Sequence, residues 1–287
     1  MLNSLQNELT RLGVSCDAPA IIRSQNGVTV ARVSNGGESC ILKFFERPEF
    51  RREIEAYRLL GSLGVPTIRV LAHTDSALLL EDLSASPRWR LAEAGDMADC
   101  ELAERLAEWY VCLHARGREY VRAHGGSLYD ETDAFTRENL ALAREKTDTH
   151  ALPIWDALER RYDDLRGRLD RAERTLTYND FYYTNMAVAR DRSAACMFDY
   201  NLLGKGFASS DLSNVTSSLS KEAGEAFLRA YDRPIDPAER ALNDVMSVLV
   251  GLIFACQREH FPSWGNACLA ELQNGFEEKI ARLCDHA

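Results

Sequence analysis

Asp180 and Asn185 lie five positions apart in LTYNDFYYTN, and Asp199 follows Asn185 by fourteen residues in AACMFDY. A carboxylate can take a proton from a hydroxyl, and carboxylate and carboxamide oxygens are hard donors of the kind Mg2+ accepts in small number beside phosphates. Upstream, Lys43 interrupts the apolar run SCILKFF, Glu53 and Glu55 follow in REIEAY, and Glu81, Asp82 and Leu83 close LLLEDL. A lysine is a compact point charge of the sort that holds phosphate. Each residue also has a plainer reading. Lysine in an apolar strand can carry its ammonium to water at a sheet edge, and Asp and Asn form turns and caps. The order of the whole set along the chain is what points to chemistry.

The elements that must position this set can be read from pattern. Residues 2–13 predict an amphipathic helix. AIIRS, VTVARV and SCILKFF predict an antiparallel three-stranded meander, with turns at Gln25-Asn26-Gly27 and Asn35-Gly36-Gly37. EFRREIEAYRLLGSLG predicts a helix ending at Gly64, and Pro66 prevents its continuation. TIRVLAHTDSALLLEDL predicts two more strands joined at Thr74-Asp75-Ser76. Beyond Leu83 helices dominate. Leu102, Leu106, Trp109 and Leu113 share one helical face, as do Ile154, Leu158, Tyr162, Leu165 and Leu169 behind Pro153. TLTY and AACMFDY predict short strands flanking the acidic loop, and the chain from about Asp236 predicts helix to its end. No internal repeat or low-complexity tract occurs. The boundaries expected are a sheet-bearing part over 1–82 and a mainly helical part over 83–287, an α+β fold.

Composition narrows the partners. The net charge of −10 argues against nucleic acid. Residues 1–82 carry nine Lys/Arg and ten Asp/Glu, so almost all the excess acid lies in 83–287. That imbalance would draw a cationic ligand, or simply solvate the surface. The longest mostly apolar run, Val245–Cys256, is too short for a membrane span and predicts a buried helix. The polar, helix-like MLNSLQNELTRLG does not read as a signal peptide, and eight scattered cysteines without ligand spacing suggest reduced thiols. A cytoplasmic protein with no membrane partner is expected. Oligomeric state is not legible.

In its order of motifs the chain resembles the aminoglycoside phosphotransferase and choline-kinase-like family, small-molecule relatives of the protein kinases. LKFF, REIEAY, YNDFYYTN and MFDYN stand where that family has its strand lysine, helical glutamate, hGDxxxxN loop and metal-binding aspartate. LLLEDL resembles the hinge strand, LAEWYVCLH the helix ending in Leu-His, and SSDLSNV the segment with a bracing aspartate, here Asp211. The resemblance spans about residues 20–220 and implies a protein-kinase-like two-lobe fold and transfer of the γ-phosphoryl group of ATP or GTP to a small-molecule hydroxyl. It implies Lys43 on the α/β phosphates, with Glu53 or Glu55 holding it. Glu53 has the family's spacing to Tyr57, and Glu55 lies about 200° further round the helix. It implies Asp180 as base, Asn185 and Asp199 as Mg2+ ligands, Gly27 in the phosphate loop, and backbone at Glu81, Asp82 and Leu83 for the base of the nucleotide. His114 is expected to make a structural hydrogen bond to the catalytic loop. Phe181, Tyr182 and Tyr183 either pack or line the acceptor site.

Three departures stand out. Tyr178-Asn179 replaces the family's His-Gly, Asn201 stands where a second acid often follows the metal-binding aspartate, and SQNGVT has a single glycine. The first motivates an alternative: an inert, nucleotide-binding pseudokinase serving as an interaction module.

Overall fold

A computed structural model describes residues 2–15 and 18–285. It divides into two compact units. One comprises the chain up to Gly117 with Tyr178–Leu203 and Asn214–Asp232, and the other comprises Arg118–Thr177, Gly204–Ser213 and the chain from Arg233.

The first unit begins with helix α1 (Leu2–Arg11) and three strands, β1 (Ala20–Gln25), β2 (Val28–Asn35) and β3 (Glu38–Phe45). Helix α2 (Arg52–Leu63), β4 (Val70–His73) and β5 (Ala77–Glu81) follow. The five strands form one antiparallel sheet in the order β1-β2-β3-β5-β4. Both hairpin turns have two residues, and all four adopt positive φ: Asn26 at 55°, Gly27 at 80°, Gly36 at 61° and Gly37 at 88°. That is the turn whose twist matches paired strands, and Asn and Gly are the residues that tolerate it. The turns fix the register, Gln25 opposite Val28 and Asn35 opposite Glu38, and the register fixes which side chains share a face.

Cys40, Leu42 and Phe44 of β3 point to one face, where Leu5 and Leu9 of α1 cover them together with Val33, Ala77 and Leu79. Alternation sends Lys43 and Phe45 to the other face. Helix α2 closes at Gly64, whose left-handed φ of 68° lets its N–H reach the carbonyls of Leu60 and Gly61.

Beyond β5, the first unit contains β6 (Trp89–Leu91), the start of α3 (Cys100–His124), and later β8 (Met186–Ala189) and β9 (Ala195–Met197). These strands form a three-stranded sheet, β6-β8-β9. The second unit contains α4 (Arg137–Lys146), α5 (Ile154–Arg171), β7 (Thr175–Thr177) and β10 (Gly204–Gly206). It also holds the first residues of α6 (Ala208–Ser218), and then α8 (Pro237–Cys256), α9 (Gly265–Asn274) and α10 (Phe276–Asp285). Helix α7 (Lys221–Tyr231) belongs to the first unit.

The two segments that flank the acidic loop, TLTY and AACMFDY, form strands with different partners. β7 pairs with β10, and β8 pairs with β9. Helix α8 is buried on nearly all sides in the core of the second unit, where it packs with Leu158, Leu165, Leu272 and Phe276. Among the described residues no helix is long and apolar enough to cross a membrane. The expectation of helix from about Asp236 is met by α8, α9 and α10 with two interruptions, the non-helical residues 257–264 and Gly275, and residues 286 and 287 lie outside the described residues.

Candidate active site

Lys43 leaves the middle of β3 on the face away from α1. Its Nζ lies 2.6 Å from Glu53 Oε2 and 2.7 Å from Asp199 Oδ1. Glu53 is in the first turn of α2 and is 1 % exposed, so its charge requires a buried partner. Glu55 points away and pairs with Arg58 at the surface. Burial alone would drive the Lys43 ammonium toward neutrality. The two carboxylates outweigh it and hold the group above its ordinary range, so lysine is charged here.

Asn185 and Asp199 meet because of a hairpin. Met186 of β8 lies opposite Met197 of β9, and on the next rung the Phe198 N–H donates to the Asn185 carbonyl at 2.9 Å. Asp199 follows directly. Asn185 closes a short 3-10 turn, Tyr183–Asn185, and its Nδ2 reaches the Asp180 carbonyl and Oδ2, both at 3.4 Å. The acid, the amide and the second acid are thus held by one loop and one rung of a ladder. Burial, reinforced by the negative charge of Asp199, pushes the Asp180 carboxyl above the usual aspartate range, and Lys43 opposes this.

The two unusual residues before Asp180 have defined tasks. The Tyr178 hydroxyl donates to the Phe198 carbonyl at 2.5 Å and approaches that of Asp199 at 3.4 Å, which ties the loop to the end of β9. Its ring meets Trp109 and Tyr200 edge-on at 6.0 and 5.9 Å, and Tyr200 meets Tyr57 at 4.7 Å. These rings form an apolar floor. Asn179 adopts a left-handed φ of 64°, and its Nδ2 donates to the Leu202 carbonyl at 3.1 Å. Asp199 is also left-handed, at 63°. Two such non-glycine residues beside one cavity are a local concentration of backbone strain. His114 Nδ1 meets the Tyr231 hydroxyl of α7 at 2.9 Å, and Asp211 is buried on α6.

Lys43, Glu53, Asp180, Asn185 and Asp199 all line one cavity of about 360 Å³ within the first unit. Tyr182, Thr184 and Asn201 line it too, Asn201 standing where the family often has an acid. Phe181 is buried, whereas Tyr182 is 62 % exposed and free to meet a ligand.

Gly27 and the segment Glu81–Leu83 do not line this cavity. Gly27 sits in the β1–β2 turn, with Arg47 packed so close that a Cβ would lie 2.8 Å from its Cγ. Glu81 accepts from the Arg69 N–H at 2.7 Å and from Ser86 Oγ at 3.0 Å. Asp82 accepts from Arg32 Nε at 2.6 Å, Ser39 Oγ at 2.7 Å and Ser84 Oγ at 2.6 Å. Leu83 is buried.

Sequence reasoning missed Arg23, Gln25 and Asn26, which contribute to the cavity from β1 and its turn. The signal was present. A two-residue Asn-Gly turn sets Gln25 against Val28 and Arg23 against Val30, and Val30 is opposite Lys43.

The donor set suits a cation held mainly by a ligand's phosphates and by water. Asn185 and Asp199 offer hard oxygens. Among the described residues no group of three or more His, Cys, Asp or Glu is arranged as a protein cage for a metal.

Residues 21–242 match the model of the phosphotransferase enzyme family, APH. The chain belongs to this family. It is a small-molecule phosphotransferase with an alcohol group as acceptor. Solved structures agree on the fold. Macrolide 2'-phosphotransferase MphH from Brachybacterium faecium is 20 % identical with a TM-score of 0.62, covering 95 % of this chain and 98 % of that one. Choline kinase LicA from Streptococcus pneumoniae is 14 % identical with a TM-score of 0.59, covering 99 % of both chains. APH(2")-IIIa in complex with GDP and kanamycin is 14 % identical with a TM-score of 0.58, covering 98 % and 99 %. These likenesses make the architecture a protein-kinase-like α+β fold. No curated protein sequence matches the chain.

Proposed function

We propose that the protein transfers the γ-phosphoryl group of ATP or GTP to a hydroxyl of a small, cationic metabolite or antibiotic. The observation that carries this reading is the Lys43 ammonium, held at 2.6 Å from Glu53 and 2.7 Å from Asp199, in the cavity that Asp180 also lines. Phosphoryl transfer asks little covalent chemistry of a protein, and mostly positioning and neutralisation of charge. Lys43 holds the α/β phosphates, and Glu53 keeps it in place. Asn185 and Asp199 would hold Mg2+, which would supply neutralisation of charge on the phosphates. Asp180 accepts the acceptor hydroxyl's hydrogen bond and takes its proton as the new P–O bond forms and the bond from the γ-phosphorus to the bridging oxygen breaks, releasing the nucleoside diphosphate. Its raised position relative to an ordinary aspartate suits a base.

Residues 1–82 are the nucleotide-binding part in this reading, and 83–287 carry the catalytic loop and the acceptor site. The assignments of Gly27 to the phosphate loop and of backbone at Glu81, Asp82 and Leu83 to the nucleotide base rest on the family resemblance. The acidity of 83–287 and the exposed Tyr182 support a cationic acceptor. The relatives that carry choline and kanamycin in their descriptions are in line with that class. The scattered cysteines without ligand spacing support a cytoplasmic setting.

The test is phosphoryl transfer to pooled aminoglycosides, cationic amino-alcohols and neutral alcohols, read by mass spectrometry. The expected result is transfer to cationic acceptors, with turnover on the order of 10²–10⁴-fold lower in Asp180→Asn at little change in nucleotide affinity. Phosphorylation of neutral or anionic alcohols alone would reject the acceptor class. Unchanged turnover in Asp180→Asn would reject the base. Nucleotide binding without transfer to any acceptor would favour the inert module.

A further inference from the structure

Resting on that reading, we infer that Arg23 is a second cationic clamp on the polyphosphate of the nucleotide, and that Gln25 pre-orients it. The argument starts from charge. Lys43 is already matched by the carboxylates of Glu53 and Asp199, and Asp180 adds a third carboxylate to the same cavity. A triphosphate brings further negative charge into this space. Among the described residues that line the cavity, Arg23 and Lys43 are the two cations.

Register puts them together. Arg23 lies opposite Val30, and Val30 lies opposite Lys43, so the three form one row across β1, β2 and β3. Paired residues project to the same face, and two strand spacings separate the Arg23 and Lys43 backbones by about 10 Å. That is a gap two long side chains can close on from both sides. The Asn26-Gly27 turn is what counts Arg23 onto this face. Its effect stops at a bulge between Ile21 and Arg23, beyond which Ile21 pairs with Ala31 on the opposite face.

The guanidinium is also held. Gln25 Oε1 accepts from Arg23 Nε at 3.3 Å and from Nη2 at 2.9 Å. Gln25 lies opposite Val28, on the same face and in the same cavity. A guanidinium has five N–H donors in a planar fork, and this contact engages two of them, so the rest can serve phosphate oxygens. In place of a wide glycine-rich loop whose backbone cradles phosphate, this chain has a tight hairpin beside an arginine.

The experiment compares calorimetric affinities of wild type, Arg23→Ala and Arg23→Lys for Mg·ATP, Mg·GTP and the corresponding nucleosides. Arg23→Ala is expected to weaken triphosphate binding about 10- to 100-fold, the range for a lost charge-assisted hydrogen bond, while nucleoside affinity and thermal unfolding of the free protein stay at wild-type values. Arg23→Lys should recover part of the loss, because it keeps the charge and loses the fork. Triphosphate binding equal to wild type in Arg23→Ala overturns the inference, as does an equal loss for nucleoside and triphosphate. Wild-type protein that binds neither triphosphate overturns the phosphotransferase site itself, which is a separate and recognisable failure.

Discussion

Asn179 permits a sharp test, because its backbone and its side chain pull a substitution in different directions. Its φ is 64°, and its Nδ2 donates to the Leu202 carbonyl at 3.1 Å. Either Asn179→Ala or Asn179→Gly loses that bond, at a cost of about 1 kcal/mol. The left-handed conformation costs an ordinary L-residue about 1–2 kcal/mol, Asn less, and glycine nothing. Glycine in turn gives up roughly 0.4–1 kcal/mol through the greater freedom of its unfolded chain. Alanine should therefore destabilise by about 2 kcal/mol and glycine by about 1 kcal/mol. At an ordinary position alanine is the more stable of the two by roughly 0.5–1 kcal/mol. The informative quantity is the sign of the difference, which the left-handed backbone reverses. Urea unfolding of the three proteins, compared at their midpoints, measures it. An alanine variant as stable as the glycine variant, or more so, would refute the strained-loop account. The glycine variant should also retain turnover, since it restores the residue the family usually carries there.

Two further outcomes follow from the ion pairs. Asp82 is buried, which alone would raise its carboxyl, but hydrogen bonds from Arg32, Ser84 and Ser39 outweigh this and hold it below the usual range. A depressed folded-state value gives stability that is present above the unfolded value of about 3.9 and is lost as pH falls through the folded one. The Tm advantage of wild type over Asp82→Asn should thus be largest near neutrality and shrink in acid; a gap independent of pH would contradict the ion pair. Glu53→Gln should reduce turnover about 10²-fold, the scale of an ångström-sized misplacement at the reacting centre, whereas Glu55→Gln should leave it unchanged. Equal effects in the two variants would remove Glu53 from the role of holding Lys43.

Much of this arrangement could be read from the chain because it depends on short-range rules. Asn26-Gly27 and Gly36-Gly37 dictate turns, turns dictate register, and register with alternation dictates that Lys43 faces away from Leu42 and Phe44. Helix geometry lets only one of Glu53 and Glu55 face Lys43, the family resemblance favours Glu53 without excluding Glu55, and the structure brings Glu53 there at 2.6 Å. What escaped was non-local or too short to carry a period. β6 has three residues, Trp89–Leu91, and finds its partner almost a hundred positions away in β8. The partner of β7, which is β10, was not legible either, because strands of three residues have no alternation strong enough to specify a partner. Arg23 escaped for another reason. It lies on a strand that is exposed throughout, where a charged side chain looks like solvated surface until its row is traced to Lys43.

Calorimetric titration of Mg·ATP and Mg·GTP into wild type and Asp199→Ala, each with and without Mg2+, tests the central claim most directly. Wild type should bind a triphosphate more tightly with Mg2+ than without, and Asp199→Ala should lose that difference while staying folded. Magnesium-dependent binding that survives intact in Asp199→Ala would mean that the cation and the nucleotide do not meet at the Lys43–Asp199 pair.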